Sequence, residues 1–234
     1  MIDFNKKTSA NTVDTGIAFG ERDESASVAF MKKTYQLLAL SMITAALGAY
    51  LTMPFAAAVQ SMKWVIFGVE LAIIFFGFNM VRNKPDLQMA LLFVFTFITG
   101  VSLVPLFAML IGAGKGALIG NAFLMTAVLF GSLSMFAINS KQDFSSWGKP
   151  LFITVIVLLV LSLINILVLN SPIMHVIISA VVLLVFSLFT IYDTQNIANG
   201  AYDSPVEAAL SLYLDFLNMF TALLQLLGIM GSDD

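Results

Sequence analysis

Seven long apolar runs, separated by only a few polar residues each, constrain this chain more than any other feature. From Thr34 onward they fall at roughly 34–58, 64–81, 87–112, 117–139, 150–170, 173–198 and 206–229. Each approaches the ~20 residues that carry a helix across a ~30 Å hydrocarbon layer at about 1.5 Å per residue. At least six runs are apolar on every face, whereas a soluble domain alternates buried helices with amphipathic ones. The strict alternation of a transmembrane β-barrel is absent. The expected fold class is an all-α membrane protein with seven transmembrane helices.

Charge content points the same way. Only 11% of the residues are charged, against 59% hydrophobic, where a soluble domain carries about 25% charged residues. Too few polar groups remain to cover a water-facing surface, so lipid must replace water over most of it. Pro85, Pro150, Pro172 and Pro205 fall in the first turn of a run or just before it, where a missing N–H costs nothing. Residues 1–33 are polar and read as a largely disordered tail, leaving 34–230 as the seven-helix domain.

Lys and Arg placement sets an orientation. The tail's Lys6, Lys7, Arg22, Lys32 and Lys33 alternate with the loops so as to share a side with Arg82, Lys84, Lys141 and Lys149. The other side holds only Lys63 and Lys115. Nine against two predicts a cytoplasmic N-terminus. Seven spans then place the C-terminus outside, on loops that carry no basic residue to test it. The scattered basic residues exclude a nucleic-acid reader, and no internal repeat favours an inverted-repeat transporter. There is no cysteine, a single histidine, no Gly-rich phosphate loop and no nucleophile turn, so neither an enzyme nor a resident cofactor is expected.

Ionisable groups inside spans are costly and mark sites by default. Three carboxylates lie well within the runs: Glu70, Asp193 and Asp215. No Lys or Arg sits in a span interior to neutralise them, although Arg82 lies at the end of the second run. Asp215 belongs to a stripe with Ser211, Asn218, Ala222 and Gln225 on one helix face, and such a stripe turns toward protein or water rather than lipid. Packing explains Ser211, Asn218 and Ala222 but not Asp215. Asp193, about four residues from the end of its run, reads either as an interfacial acid or as a partner for Asp215 across a short connection. Glu70 shares its depth with Gln225, and reads either as half of a structural hydrogen bond or as a second step in an ion path. His175 reads as a packing residue; Trp64 and Trp147 read as interface anchors. A Tyr-Asp dipeptide at Tyr192-Asp193 matches half of an intramembrane aspartic protease signature, but Asp215 lacks the Gly-x-Gly-Asp half.

Tyr192-Asp193-Thr194-Gln195, followed by Ser211-Leu212-Tyr213-Leu214-Asp215-Phe216-Leu217-Asn218, resembles the Bax inhibitor-1 family (transmembrane Bax inhibitor motif proteins). The likeness runs over about residues 30–230, and the Gly-Ile-Met-Gly-Ser-Asp-Asp end is similar to bacterial members, implying an inner-membrane protein. It implies six helices around a central final helix, and a pH-sensitive calcium leak. Asp193 and Asp215 then form a coupled sensor and a weak, transient Ca²⁺ site. Two close carboxylates in a poorly hydrated site do not both ionise easily and titrate as a unit. They also offer fewer oxygens than the 6–8 of a calcium cage. In relatives an Arg near the end of the second helix latches the sixth-helix Asp. Arg82 is near that point, but the matching slot is Val81, about 100° away around a helix. Where some relatives carry a basic residue in the last helix, this chain has Gln225. The Met174-His175 and Ile178-Ser179-Ala180 stretch resembles a bacterial branch that binds and modulates the membrane-anchored AAA protease FtsH through its N-terminal tail.

Overall fold

The computed structural model describes the backbone of residues 14–230 and the side chains of residues 25–229. Seven helices long and apolar enough to cross a membrane follow one another: α1 (Asp14–Thr52), α2 (Lys63–Met80), α3 (Pro85–Gly112), α4 (Ala117–Asn139), α5 (Gly148–Ile164, which spans as Ser145–Leu169 with the turns at its ends), α6 (Pro172–Ala198) and α7 (Pro205–Met230). No strand occurs among the described residues. The chain is an all-α membrane protein.

Two departures concern the first run. Its helix starts at Asp14, so residues 14–33 are helical where a largely disordered tail was expected. No proline interrupts them, and Glu21, Glu24, Ala26, Ala29 and Met31 extend a helix already nucleated by the apolar run. Residues 1–13, the rest of the expected tail, lie outside the described residues. At its other end the run breaks at Pro54, where a 3₁₀ turn (Met53–Phe55) precedes a short helix, Ala56–Ser61. Proline removes a helix N–H and crowds the preceding turn.

Helix α7 sits at the centre. Half of its spanning residues are buried, against at most a third in any other helix. It packs on α1, α3, α4 and α6, and Leu212, Met219 and Leu224 are wholly enclosed. Phe216 and Phe220 of α7 meet Phe107, Phe123 and Phe130 edge to face, the preferred aromatic geometry. Helices α2 and α5 close the ring from outside. The outer surface is apolar, with Phe76 and Val168 each about 70% exposed, as a lipid-facing surface requires. On α1 and α3, Gly48 lies against the Phe97 carbonyl and Gly100 against the Ala45 carbonyl. These two helices approach as closely as backbones allow.

Two helices contain π turns that the hydropathy pattern does not announce. Ile73–Gly77 interrupts α2, and Asn165–Leu169 continues α5. The second ends at Asn170, in the left-handed conformation (φ 47°) that asparagine tolerates better than most residues. Asn165 closes the turn into α6, accepting from Ser171 N (3.0 Å) and donating to its carbonyl (3.2 Å).

At the other end of the bundle the α4–α5 loop hangs from one side chain. Gln195 of α6 accepts from Phe144 N (2.7 Å) and donates to the Gln142 carbonyl (2.7 Å). Gln195→Leu strands both backbone groups. Of the two, the Phe144 amide is buried and Gln142 is exposed to solvent, so at about 1–3 kcal/mol for an unsatisfied buried group the variant should lose roughly 1–3 kcal/mol. Thermal unfolding in detergent, followed by circular dichroism, reads this as a clear drop in Tm.

Candidate functional site

Helices α6 and α7 are antiparallel neighbours joined by the loop 199–204. That connection brings Asp193, five residues from the end of α6, beside Asp215, ten residues into α7. Their carboxyls lie within hydrogen-bonding reach of each other. They are buried, at 6% and 2% exposure, and among the described residues no Lys or Arg pairs with either. Thr194 reaches Ser134 (3.3 Å), and Thr190 reaches the Phe186 carbonyl and Met219 Sδ, so the polar groups beside the pair are hydroxyls, not charges.

Tyr202 closes the site from the loop. Its hydroxyl donates to Asp193 Oδ1 (2.8 Å) and stands 3.0 Å from Ser211 Oγ. A phenol has one proton, so Ser211 supplies the proton of the second contact. Burial, and then the Asp193 carboxylate, raise the Tyr202 pKa well above its ordinary value. The phenol therefore remains a donor at neutral pH. Asp193 thus has a donor outside the pair, whereas Oδ2 of Asp215 is buried without a hydrogen-bond partner.

The loop itself is clamped to α2 and α3. Arg82 Nη2 lies 2.8 Å from Asp203 Oδ2, and its Nε is 4.0 Å from Glu207. Gln88 donates to Glu207 (3.2 Å) and accepts from Ser204 (3.2 Å). The expected latch between Arg82 and Asp193 is not made. The helix of α2 ends at Met80, so Arg82 emerges in the following turn and meets the loop beside Tyr202. Its pair with Asp203 is solvent-exposed on both sides, and such pairs contribute little. Arg82→Gln should change the unfolding free energy by less than about 1 kcal/mol, read from thermal or denaturant unfolding.

The stripe on α7 serves separate places. Ser211 meets Tyr202. The Asn218 amide donates to the Leu214 carbonyl (2.7 Å) and faces two neighbouring cavities. Gln225 accepts from Ser179 (2.8 Å), not from Glu70. Glu70 stands apart from the aspartates, with Ser102 beside it, in a cavity of about 470 Å³ between α2 and α5. His175 lines the smaller cavity, of about 220 Å³, with Gln225.

Sequence reasoning passes over Tyr202 and Gln88. The available signal for the first was an aromatic residue inside the polar loop Asn199–Ser204. For the second it was an amide at the very start of an apolar run.

Residues 28–232 match the family model described as "Inhibitor of apoptosis-promoting Bax1". The chain belongs to the Bax inhibitor-1 family. Among curated relatives, a Helicobacter pylori protein is 48% identical over 212 residues, 90% of this chain and 91% of its own length. A Vibrio cholerae relative, named a membrane protein, is 36% identical over 87% of this chain and 91% of its own. The Escherichia coli relative named "Modulator of FtsH protease YccA" is 30% identical over 87% and 91%. The Bax inhibitor-1 match takes in Glu70, Asp193 and Asp215.

Proposed function

We propose that this Bax inhibitor-1 protein is a pH-sensitive calcium leak of a bacterial inner membrane, its N-terminus cytoplasmic, with Asp193 and Asp215 as the coupled sensor. The observation that carries the reading is the meeting of these two carboxyls, from adjacent helices, in a buried place with no basic partner among the described residues. Two such groups do not both ionise without compensation. A shared proton holds α6 and α7 together at this level, and its loss sets the carboxylates against each other. Calcium stabilises the doubly ionised form and so competes with the proton. Two aspartates supply too few oxygens for a storage site, which favours passage.

The test is calcium release from dye-loaded liposomes across a pH series. Release should exceed that of protein-free liposomes and vary with pH. Because calcium takes the form that has lost its proton, raising calcium should move the midpoint of the profile to lower pH. Release that is absent or independent of pH overturns the reading.

A second reading has its own support, since one relative is named as a modulator of the FtsH protease. Under it, the N-terminal segment is the contact element. Tagged full-length protein should then co-purify with FtsH from bacterial membranes, and deletion of residues 1–30 should reduce recovery at least about tenfold, a loss of roughly 1.4 kcal/mol in affinity. Equal recovery from both chains overturns it.

A further inference from the structure

The cavity around Glu70 has the shape and chemistry of a ligand site that opens sideways. Its walls are α2 and α5, which flank it without close packing on one another. Trp64, Leu159 and Ile166 line it and are also exposed on the outer surface of the bundle. The mouth therefore opens on the flank of the bundle, between the first turn of α2 at Trp64 and the exposed face of α5 at Leu159 and Ile166. At about 470 Å³ it falls within the range of ordinary small-molecule pockets. Most of the lining is aliphatic or aromatic, but the cavity also carries Glu70, Ser102 and Asn218, with Ser162 on the α5 wall.

The polar wall is incompletely satisfied. Glu70 Oε1 is buried and has no hydrogen-bond partner. Ser102 donates its one proton to the Thr99 carbonyl, and Asn218 gives one of its two amide protons to the Leu214 carbonyl, yet Glu70 Oε1 receives neither. The basic group that lines the cavity, Lys63, is two helical turns away at its outer end, with Nζ over the Trp64 ring. A buried carboxylate without a donor is costly, and an acyl chain entering from the bilayer supplies none. The occupant that completes the wall has an apolar body and a cationic, hydrogen-donating head.

We propose that the cavity between α2 and α5 binds a long-chain primary amine, or a lipophilic cation of the same class, with its ammonium on Glu70 and its chain toward the mouth at Trp64. This site is separate from the aspartate pair and stands or falls independently of the leak.

Trp64 is a built-in reporter, because Trp147 is the chain's other tryptophan and is replaced by Phe for the measurement. In nanodiscs of brominated phosphatidylcholine, bromine quenches Trp64. Dodecylamine entering the cavity displaces lipid from the indole, so fluorescence should recover to a plateau. Glu70→Gln should weaken this recovery at least tenfold. Dodecanol, equal in length but uncharged, should give no plateau in the parent protein, a comparison that stands even if the Gln variant misfolds. Equal response to amine and alcohol, a response unchanged by Glu70→Gln, or no saturable recovery at all overturns the proposal. The first of these outcomes identifies the cavity as an acyl-chain site.

Discussion

In liposomes, Asp193→Asn and Asp215→Asn should each flatten the pH profile of calcium release. A one-proton step changes the ratio of its two forms tenfold per pH unit. A parent profile that spans roughly fivefold or more between pH 6 and 8 should therefore shrink to less than about twofold in either variant. Asparagine keeps the size and polarity of each side chain, and at position 193 its carbonyl still accepts from the Tyr202 hydroxyl. What it removes is the exchangeable proton. The competition between calcium and acid should vanish together with the pH dependence, since both need two groups able to ionise. Unchanged profiles in both variants would sink the sensor assignment and leave the pair as helix packing. Tyr202 separates the two aspartates in degree. Asp193 has an outside partner, whereas one oxygen of Asp215 has none, so Asp215→Asn, which brings its own donors to that place, should show the larger change in basal rate.

The other large effect is structural. Gly100→Ala puts a methyl group onto the Ala45 carbonyl. Overpacking costs about 1–3 kcal/mol where a side chain can yield. Here the obstacle is the backbone of a packed helix, so the loss should exceed about 3 kcal/mol, and Gly100→Leu should not yield a monodisperse protein. Gly131 is the control. It lies in the middle of α4 with nothing within 4 Å of a built Cβ, so Gly131→Ala should be neutral or raise stability by up to ~1 kcal/mol through helix propensity alone. Melting temperatures of Gly100→Ala and Gly131→Ala against the parent in one detergent decide the matter. A Gly100→Ala protein as stable as the parent would mean that α1 and α3 move apart at little cost.

Much of this architecture could be read from hydropathy, because a bilayer makes length and polarity nearly sufficient to define a helix. The fourth run, 117–139, coincides with Ala117–Asn139, and the last, 206–229, lies one residue inside Pro205–Met230 at each end. The same signal fails for residues 14–33, since a polar helix propagating from an apolar one has no hydropathy signature. The site was legible to the extent that it depends on charge. A buried acid stands out against leucine and phenylalanine, and a short loop between α6 and α7 limits how far Asp193 can be from Asp215. Tyr202, Gln88 and the Arg82–Asp203 pair were not legible. Each depends on how a loop folds back over the ends of helices, which neither periodicity nor composition records. The independence of Glu70 from Gln225 was hidden for a related reason: depth along the membrane was inferable, but angular position around α7 was not.

The π turn in α2 bears on which way the end of that helix faces. A turn closed between residues five apart holds one residue more than the α turn it replaces, so everything beyond Gly77 is advanced by one position. The expected slot for a basic residue is Val81, and the arginine stands at 82. That offset has the size of the residue stored in Ile73–Gly77. Deleting one residue within 73–77 would turn the final segment by about 100° and leave the upstream half where it is. A backbone irregularity in mid-helix thus sets which way a charge faces a full turn later.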